Sequence, residues 1–339
     1  MVQTSAASGL ADDLALVSSF AQSYRGYVGS RVVGCPEVVE KLLLAFLCEG
    51  NVLLEGAPGL GKTSLARTWA EFFGLEFRRI QFTPDLMPLD VIGSNILQTL
   101  DGGERTYRFY KGPIFANMVL GDEINRATPK TQSAFLEAME EKRITFLGEV
   151  HELPSPFFVI ATQNPIELEG TYPLPEAQVD RFLMRLFFAM PDFAGLKAIL
   201  EASERGGIGS PAGREATEAA LAAYRRAAKA VLVPEDLQNF IVRLVAQTHP
   251  EHTDVEAVKK YVRFGASPRC ALGLLKGVRA RAVVAGRPHA SFDDAEALFK
   301  DLANHRVILN FEAETDGQGS SEVLDAVLSA VRREYRGVA

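Results

Sequence analysis

The eight residues GAPGLGKT, at positions 56–63, have the composition and spacing of a phosphate-binding loop. They follow the apolar run NVLLE and precede the helix-forming stretch SLARTWAEFF. Glycines in such a strand–loop–helix unit let backbone N–H groups surround phosphate oxygens, and the helix dipole adds to the attraction. Lys62 is expected to contact the β- and γ-phosphates, and the Thr63 hydroxyl to ligate Mg²⁺. The motif therefore predicts a nucleoside triphosphate site.

An acidic pair, Asp122-Glu123, follows apolar residues 118–120 at a predicted strand end. Asp122 is suited to hold Mg²⁺ through a water molecule, and Glu123 is suited to act as the general base for the attacking water. A third apolar run ends at Asn164, whose amide could reach the γ-phosphate. Taken alone, the acids could form a solvated turn, and Asn164 could cap the turn before Pro165. Beside a phosphate-binding loop, the carboxylate pair indicates hydrolysis.

The chain divides into two parts that differ in predicted secondary structure. In the first part, short apolar runs alternate with helix-like segments, which is typical of a parallel sheet with crossover helices; the runs are NVLLEG, FRRIQF, MVLGDE, FFVIAT and RLFFAM. Beyond Pro191 we expect helices and no strands. Stretches 96–113 and 143–154 alternate around glycine-containing turns and predict inserted β-hairpins. We therefore expect an α/β domain over 1–190 and an α-helical domain over 191–339.

Composition and charge limit the class of partner. The 339 residues are 47% apolar and carry a net charge of −7, which disfavours a nucleic-acid platform because such proteins usually carry a basic stripe. Cys35, Cys48 and Cys270 lack metal-site or CxxC spacing and are expected to be buried, reduced thiols. The sequence shows no signal-peptide pattern and no apolar stretch of about 18 residues, so we expect a cytoplasmic protein that does not insert into membranes.

In this order and spacing, the motifs resemble those of the AAA+ ATPases and, within them, the MoxR family. The resemblance covers about residues 31–311, and the matching stretches are 32–63, 81–93, 112–141, 157–185 and 261–270. It implies an AAA+ P-loop αβα core with a parallel sheet and two inserted β-hairpins, followed by an α-helical lid domain. It also implies that the strand before Asn164 lies between the phosphate-loop strand and the Asp122 strand. Both hairpins would face the pore of a hexameric ring.

The resemblance extends to individual positions. Val33 matches the segment that packs near the adenine, and Arg269 matches the sensor-2 arginine, which sits on the lid near the γ-phosphate. Arg269 could instead pair with surface carboxylates at the start of its helix. The residues expected to bind ATP and its Mg²⁺ are Val33, Gly56, Ala57, Pro58, Gly59, Leu60, Gly61, Lys62, Thr63, Ser64 and Asp122. Those expected to act in hydrolysis are Lys62, Glu123, Asn164, Arg181 and Arg269.

Arg181 lies between two apolar stretches, directly after Asp180. In ring ATPases of this kind, the arginine after the Asn164 strand looks into the nucleotide site of the neighbouring subunit. A planar, permanently charged guanidinium there neutralises charge on the transferred phosphoryl group. Arg181 could instead pair with an Asp or Glu of its own chain. Arg185 is the second candidate for this role, and Arg126 is a weaker possible interface contact.

The resemblance implies an oligomeric ring that uses ATP to remodel or mature partner proteins, including metal-cofactor insertion or complex assembly. A protein containing a von Willebrand factor A domain is an expected partner. The alternative is a DNA-dependent ring motor, which needs Lys or Arg at its hairpin tips. The second hairpin tip carries Glu149 and Glu152, whereas the first carries both signs, namely Arg105, Arg108, Lys111, Asp101 and Glu104. A third possibility is an ATP-gated scaffold that hydrolyses little.

Overall fold

The computed structural model of the chain describes residues 2–99, 105–164, 170–205 and 207–336. Part of the first predicted hairpin turn, with Asp101 and Glu104, lies outside these residues, as does Pro165. The strands, in chain order, are β1 (Val52–Glu55), β2 (Phe77–Gln81), β3 (Gly93–Thr99), β4 (Arg105–Lys111), β5 (Met118–Asp122), β6 (Arg143–Phe146), β7 (Glu149–Glu152), β8 (Phe158–Gln163), β9 (Met184–Phe187), β10 (Val262–Phe264) and β11 (Ile308–Leu309).

Helices account for most of the remaining chain. In chain order they are α1 (Val2–Arg31), α2 (Pro36–Leu47), α3 (Lys62–Phe73), α4 (Pro88–Ile92), α5 (Pro129–Glu141), α6 (Glu176–Val179), α7 (Phe193–Arg205), α8 (Gly213–Ala230), α9 (Glu235–Ala246), α10 (Glu256–Tyr261), α11 (Pro268–Val284), α12 (Phe292–Ala303), α13 (Phe311–Thr315) and α14 (Ser320–Arg336). None of the described helices combines the length and hydrophobicity that a membrane crossing requires.

The five apolar runs of the first part form one parallel sheet, as the sequence predicts. The strand order is β2-β5-β8-β1-β9, and each neighbouring pair is parallel. Strand β8 lies between β1 and β5, in the order that the family resemblance implies. Because all five strands run in one direction, their carboxyl ends meet at one edge of the sheet and their amino ends at the other. The sheet therefore has two edges with different residues.

Both predicted hairpins are present. Strands β3 and β4 pair antiparallel, as do β6 and β7. The ring of Phe109 in β4 stacks on His151 in β7 at a centroid distance of 4.1 Å, so the hairpins pack against each other. The second turn consists of Leu147 and Gly148, with φ values of 50° and 85°. Positive φ at both positions is what a two-residue type I′ turn requires.

The second part is mainly helical, and the long helices beyond Pro191 are confirmed. The expectation that strands stop there is wrong, because β10 pairs antiparallel with β11. These strands have three and two residues, too few to produce an alternating pattern in the sequence. Helix α1 was also not anticipated. Its sequence is rich in Ala, Ser and Gly, so its apolar spacing is weak.

One hydrophobic cluster runs through both parts of the chain. Alternate strand residues such as Val52 and Leu54 pack on one face of the sheet, in the same cluster as Leu244 of α9 and Leu298 of α12. Leu53 points to the opposite face, where a second cluster forms against α5. The division between residues 190 and 191 stays a prediction, because the apolar core continues across it.

Helix α1 contacts both parts of the chain, and its contacts with α3 of the first part are aromatic. Its rings Phe20, Tyr24 and Tyr27 surround Phe72 near the end of α3, at centroid distances of 5.3, 5.5 and 5.6 Å. The same helix packs along α8 of the second part. Phe72 is fully buried. The aromatic cluster therefore fixes α1 to the helix that begins at the phosphate-binding loop.

We expect Phe72→Ala to lower the free energy of unfolding by about 3–5 kcal/mol, because it removes a buried ring from a cluster that cannot close the space. Chemical denaturation followed by circular dichroism measures this loss. Phe193→Ala is the matched control, since that ring is 84% exposed and its removal should change the value by less than about 0.5 kcal/mol. Equal effects of the two substitutions would contradict the packing of α1 on α3.

Candidate nucleotide site

Residues 56–63 join β1 to α3 in a loop that only glycine permits at several points. Gly59 and Gly61 have φ values of 79° and 92°, in the left-handed region that favours glycine. A Cβ atom at Gly56 would lie 2.4 Å from the carbonyl oxygen of Phe188, so a larger residue would displace the end of β9. Lys62 Nζ donates a hydrogen bond to the Gly56 carbonyl at 2.6 Å, which holds the loop closed.

Thr162 in β8 fixes both members of the acidic pair. Its hydroxyl donates to Asp122 Oδ1 at 2.6 Å and accepts from the backbone N–H of Glu123 at 2.8 Å. Arg79 of β2 donates to the other oxygen of Asp122, with Nη2 at 2.7 Å and Nε at 3.0 Å. Thr162 is fully buried, so its hydroxyl has little freedom to change partners. Asp122 is therefore oriented from two sides.

The Glu123 carboxylate is directed toward β2. Its Oε2 accepts hydrogen bonds from Gln81 Nε2 at 3.0 Å and from Arg126 Nη1 at 2.9 Å. The backbone of Glu123 has a φ of 59°, a left-handed conformation that is uncommon for residues other than glycine. Arg126, a candidate interface contact in the sequence, pairs in this chain with the expected general base.

Asn164 follows β8 directly and is buried. Because β8 lies between β1 and β5, Asn164 shares the carboxyl edge of the sheet with the phosphate-binding loop and with Asp122. Thr63 offers a hydroxyl on α3, next to Lys62. A carboxylate and a hydroxyl are oxygen donors of the kind that Mg²⁺ prefers, so the residues present fit this ion.

The segment around Val33 lies beside the start of the second part. A Cβ atom at Gly34 would lie 3.2 Å from Pro191 Cγ and 3.9 Å from Ile199 Cδ1. Pro191 comes shortly after Phe188 in the chain, and Phe188 is the residue that lies against Gly56 in the phosphate-binding loop. The structure thus brings the Val33 segment and α7 to the same side of the molecule as the loop.

Arg181 and Arg269 lie at the opposite edge of the sheet. Arg181 Nε and Arg269 Nη2 contact the two carboxylate oxygens of Glu140 at 2.9 and 2.6 Å. They line one cavity, of about 250 Å³, together with Asn51, which precedes β1. Gly56 follows β1, and a strand of this length separates the two edges by about 15 Å.

The structure therefore places Arg269 away from the phosphate-binding loop of its own chain, and its expected role near a γ-phosphate stays a prediction. Helix α11 begins beside Asp180, where the Ser267 hydroxyl donates to Asp180 Oδ1 at 2.7 Å. This contact places the start of the helix, and with it Arg269, at the amino edge. The pairing of Arg269 with Glu140 agrees with the alternative that it contacts carboxylates at a helix start. Arg181 likewise adopts the intrachain pair that the sequence left open.

Arg185 has a different environment from Arg181. It lies in β9, where it pairs with Leu53 of β1 and its Nη2 contacts Glu55 Oε2 at 2.7 Å. Glu55 immediately precedes the phosphate-binding loop of the same chain. Arg185 thus has an intrachain partner beside the loop, whereas Arg181 pairs with Glu140 at the opposite edge.

The cysteines are all free thiols. Burial raises the pKa of Cys48 and of Cys270 to about 12, so both stay protonated at neutral pH and are inert as nucleophiles. Cys35 is half-buried rather than buried, and desolvation raises its pKa to about 11.

Several contributing residues were missed in the sequence. Thr162 sits inside an apolar run that predicts only a buried strand, although a Thr facing the acidic pair across the sheet was a usable signal. Arg79 lies outside the matching stretches and Gln81 only begins one of them, and the contacts of both depend on β2 lying next to β5. Glu140 belongs to a helix whose packing no local pattern reveals. These contacts come from the order of the strands rather than from spacing along the chain.

If nucleotide hydrolysis occurs at this edge, Thr162→Val should reduce kcat by about 10- to 100-fold, because a hydrogen bond to a charged partner contributes roughly 1.5–3 kcal/mol. Steady-state phosphate release measures the effect. Thr162→Ser, which keeps the hydroxyl, is the matched control and should stay close to wild type. A valine variant with unchanged kcat would show that Thr162 does not orient the acidic pair.

Known proteins resemble both parts of the chain. A model of the ATPase family associated with various cellular activities (AAA) matches residues 51–184, and a model of the AAA lid domain matches residues 255–327. A crystal structure of an ATPase candidate from Cytophaga hutchinsonii is 36% identical, with a TM-score of 0.84 over 97% of this chain and 98% of that chain.

Named relatives extend over most of the length. Chaperone MoxR1 of Mycobacterium tuberculosis is 40% identical, covering 88% of this chain and 78% of that protein. Protein MoxR of Methylorubrum extorquens is 29% identical, covering 83% and 85% respectively. The uncharacterised protein YeaC of Bacillus subtilis is 39% identical, covering 90% and 92%. With the AAA domain, the lid and this degree of identity established, the chain belongs to the MoxR family of AAA+ ATPases and is an ATP-hydrolysing P-loop enzyme.

Proposed function

We propose that this chain hydrolyses ATP at a site that two copies build together. The observation that carries the proposal is the position of Arg181 and Arg269 at the sheet edge opposite to the phosphate-binding loop of their own chain. A guanidinium stabilises the charge of a transferred phosphoryl group only when it contacts that group. The arginines of one copy therefore serve the loop of a second copy.

The remaining roles belong to one chain. The backbone of the loop surrounds the phosphates, and Lys62 contacts the β- and γ-phosphates. Thr63 and Asp122 would hold Mg²⁺, Asp122 through water, and the bound ion would supply neutralisation of the phosphate charge. Glu123 accepts the proton of the attacking water, and Asn164 orients that water. Val33 would lie near the adenine.

Glu140 keeps the two arginines in place until a phosphate replaces it. Arg181 and Arg269 are both partly exposed where they pair with Glu140. An exposed ion pair is worth only about 0–1 kcal/mol, so the several negative charges of a triphosphate can compete for both guanidiniums. The arginines would then exchange one carboxylate for the γ-phosphate of the second copy.

A closed ring suits this head-to-tail arrangement, because every loop then meets an arginine edge. We propose a hexamer that works in the cytoplasm and remodels or matures partner proteins. The name of the relative Chaperone MoxR1 supports this role. A partner with a von Willebrand factor A domain, and clients that receive metal cofactors or assemble into complexes, belong to the same proposal and rest on the family resemblance.

The tip of the second hairpin supports a polypeptide as the client. Leu147 is 79% exposed and has a φ of 50°, a conformation that a leucine adopts only at a cost. Val150, close by in β7, is also exposed, and so is Tyr107 of the first hairpin. The exposed carboxylate of Glu149 disfavours a phosphate backbone at this tip. The DNA-dependent ring motor is therefore the weaker alternative.

Subunit mixing tests the shared site. Arg181→Ala and Lys62→Ala should each lower ATPase activity by about 10³-fold. A 1:1 mixture should regain activity, because about a quarter of its interfaces join an intact loop to an intact arginine. Phosphate release measures the recovery.

A double variant, Lys62→Ala with Arg181→Ala, is the control and should not restore the Arg181→Ala chain. If native mass spectrometry shows mixed oligomers but no activity returns, the arginine does not act between copies.

Leu147→Asn tests whether the strained, exposed leucine at this turn serves to bind a polypeptide. Asn adopts positive φ readily, so the variant should gain roughly 0.5–1 kcal/mol of stability. It also loses the apolar tip, so its affinity for reduced, carboxymethylated α-lactalbumin should fall about tenfold, as measured by fluorescence anisotropy.

Leu232→Asn is the control for this test, since that side chain is 65% exposed on the helical part; binding should not change. A single-stranded oligonucleotide is the competing ligand. Binding of the oligonucleotide, with unaltered binding of the unfolded protein by Leu147→Asn, would favour the motor instead.

A further inference from the structure

The chain turns at residues 304–306, directly after α12, and this corner forms hydrogen bonds with the segment that carries Arg181. The guanidinium of Arg306 donates to the backbone carbonyls of Asp180, Phe182 and Leu183, at 3.1, 2.6 and 3.2 Å. Its Nε also donates to Asp180 Oδ1 at 2.8 Å. The Arg306 side chain is only 3% exposed. One side chain thus holds three carbonyls and one carboxylate on both sides of Arg181.

The two residues before Arg306 extend the same contact. His305 Nε2 donates to the carbonyl of Phe182 at 3.0 Å, and Asn304 Nδ2 donates to the carbonyl of Arg185 at 3.0 Å. Burial, with the neighbouring charge of Arg306, holds the pKa of His305 well below its usual range, so the ring stays neutral. The corner therefore binds the backbone of segment 180–185 from its first residue to its last.

Asp180 connects this corner to the second arginine. Its carboxylate receives Arg306 at 2.8 Å and the hydroxyl of Ser267 at 2.7 Å, and it lies 3.5 Å from Arg269 Nη1. Ser267 precedes α11, the helix on which Arg269 sits. Asp180 therefore fixes both the segment that carries Arg181 and the start of the helix that carries Arg269.

Burying so many polar groups is a poor means of gaining stability alone. Desolvation of a buried ion pair offsets much of its attraction, and apolar replacements are often equally stable. Hydrogen bonds to successive carbonyls instead determine where the backbone lies, which is what a catalytic group needs, since an error of about 1 Å can cost 10²-fold in rate. The hydrogen bonds of the corner are thus suited to fixing the position of the backbone that carries Arg181.

We propose that Arg306 is a positioning residue for the intersubunit reaction: it holds segment 180–185 so that Arg181 and Arg269 reach the triphosphate of a second copy. The inference rests on the proposed shared site. At a shared site, the corner 304–306 acts in the chain that donates the arginines. The same corner of the chain that holds the nucleotide has no part in that site. The effect of changing Arg306 therefore depends on which of two chains carries the change.

Directional mixing tests this dependence with Arg306→Lys, which keeps the charge beside Asp180 but cannot contact three carbonyls together. In the first mixture the substitution is placed on the Lys62→Ala chain, which supplies only arginines, and the partner is Arg181→Ala. In the second it is placed on the Arg181→Ala chain, which supplies only the loop, and the partner is Lys62→Ala. The unmodified mixture of Lys62→Ala and Arg181→Ala is the reference.

Recovered ATPase activity should fall at least about tenfold in the first mixture and stay near the reference in the second. Arg287→Lys is the matched control, because Arg287 makes a similar paired contact with Asp294 but does not touch segment 180–185; it should restore activity in both placements. The second mixture also shows that the Arg306→Lys chain folds and assembles.

Equal losses in the two placements would assign Arg306 to general stability and overturn the proposal, as would no loss in either. An inactive reference mixture gives a different result: it would contradict the shared site itself, and the positioning role with it. If the reference mixture is active but the loss does not depend on which chain carries Arg306→Lys, the positioning role fails while the shared site stands.

Discussion

The polarity of the parallel sheet is the constraint on which the rest of this molecule depends. All five strands end at the edge that carries residues 56–63, Asp122 and Asn164, and all begin at the edge near Glu140. Backbone hydrogen bonds fix this register, so no side-chain movement can bring the two edges together. The core of the fold thus places the phosphate-binding loop and the two arginines on different surfaces of one chain. In the proposed shared site, association of copies is therefore part of the chemistry.

The two surfaces hold their charged groups in different ways. Asp122 is oriented by a buried threonine and by Arg79, both residues of the same chain. Arg181 and Arg269 share Glu140 in partly exposed ion pairs, which are weak and screened by water and salt. The first surface is therefore preorganised, whereas the ion pairs of the second are weak enough for the exchange of partners that the proposed shared site requires.

The sequence was sufficient for the parts of this structure that local patterns specify. The phosphate-binding loop, the five buried runs, the two hairpins and the long helices beyond Pro191 follow from composition and period, and family resemblance supplied the strand order. Contacts between segments distant in sequence were not accessible, such as Glu140 with Arg181 and Arg306 with Asp180. Arg269 illustrates the difference, since the family motif singled out the residue while its location depended on how α11 docks beside Asp180.

The hydrophobic cluster that runs from the sheet into the helices has a mechanical consequence. A hinge between the two parts would have to separate side chains such as Leu54 and Leu298 from their common core, at about 25 cal/mol for each Å² of apolar surface exposed to water. Such exposure opposes bending, since a fold is ordinarily stable by only about 5–15 kcal/mol. In the proposed ring each copy would then move as one stiff body, and the motion driven by ATP would be a change of angle between neighbouring copies.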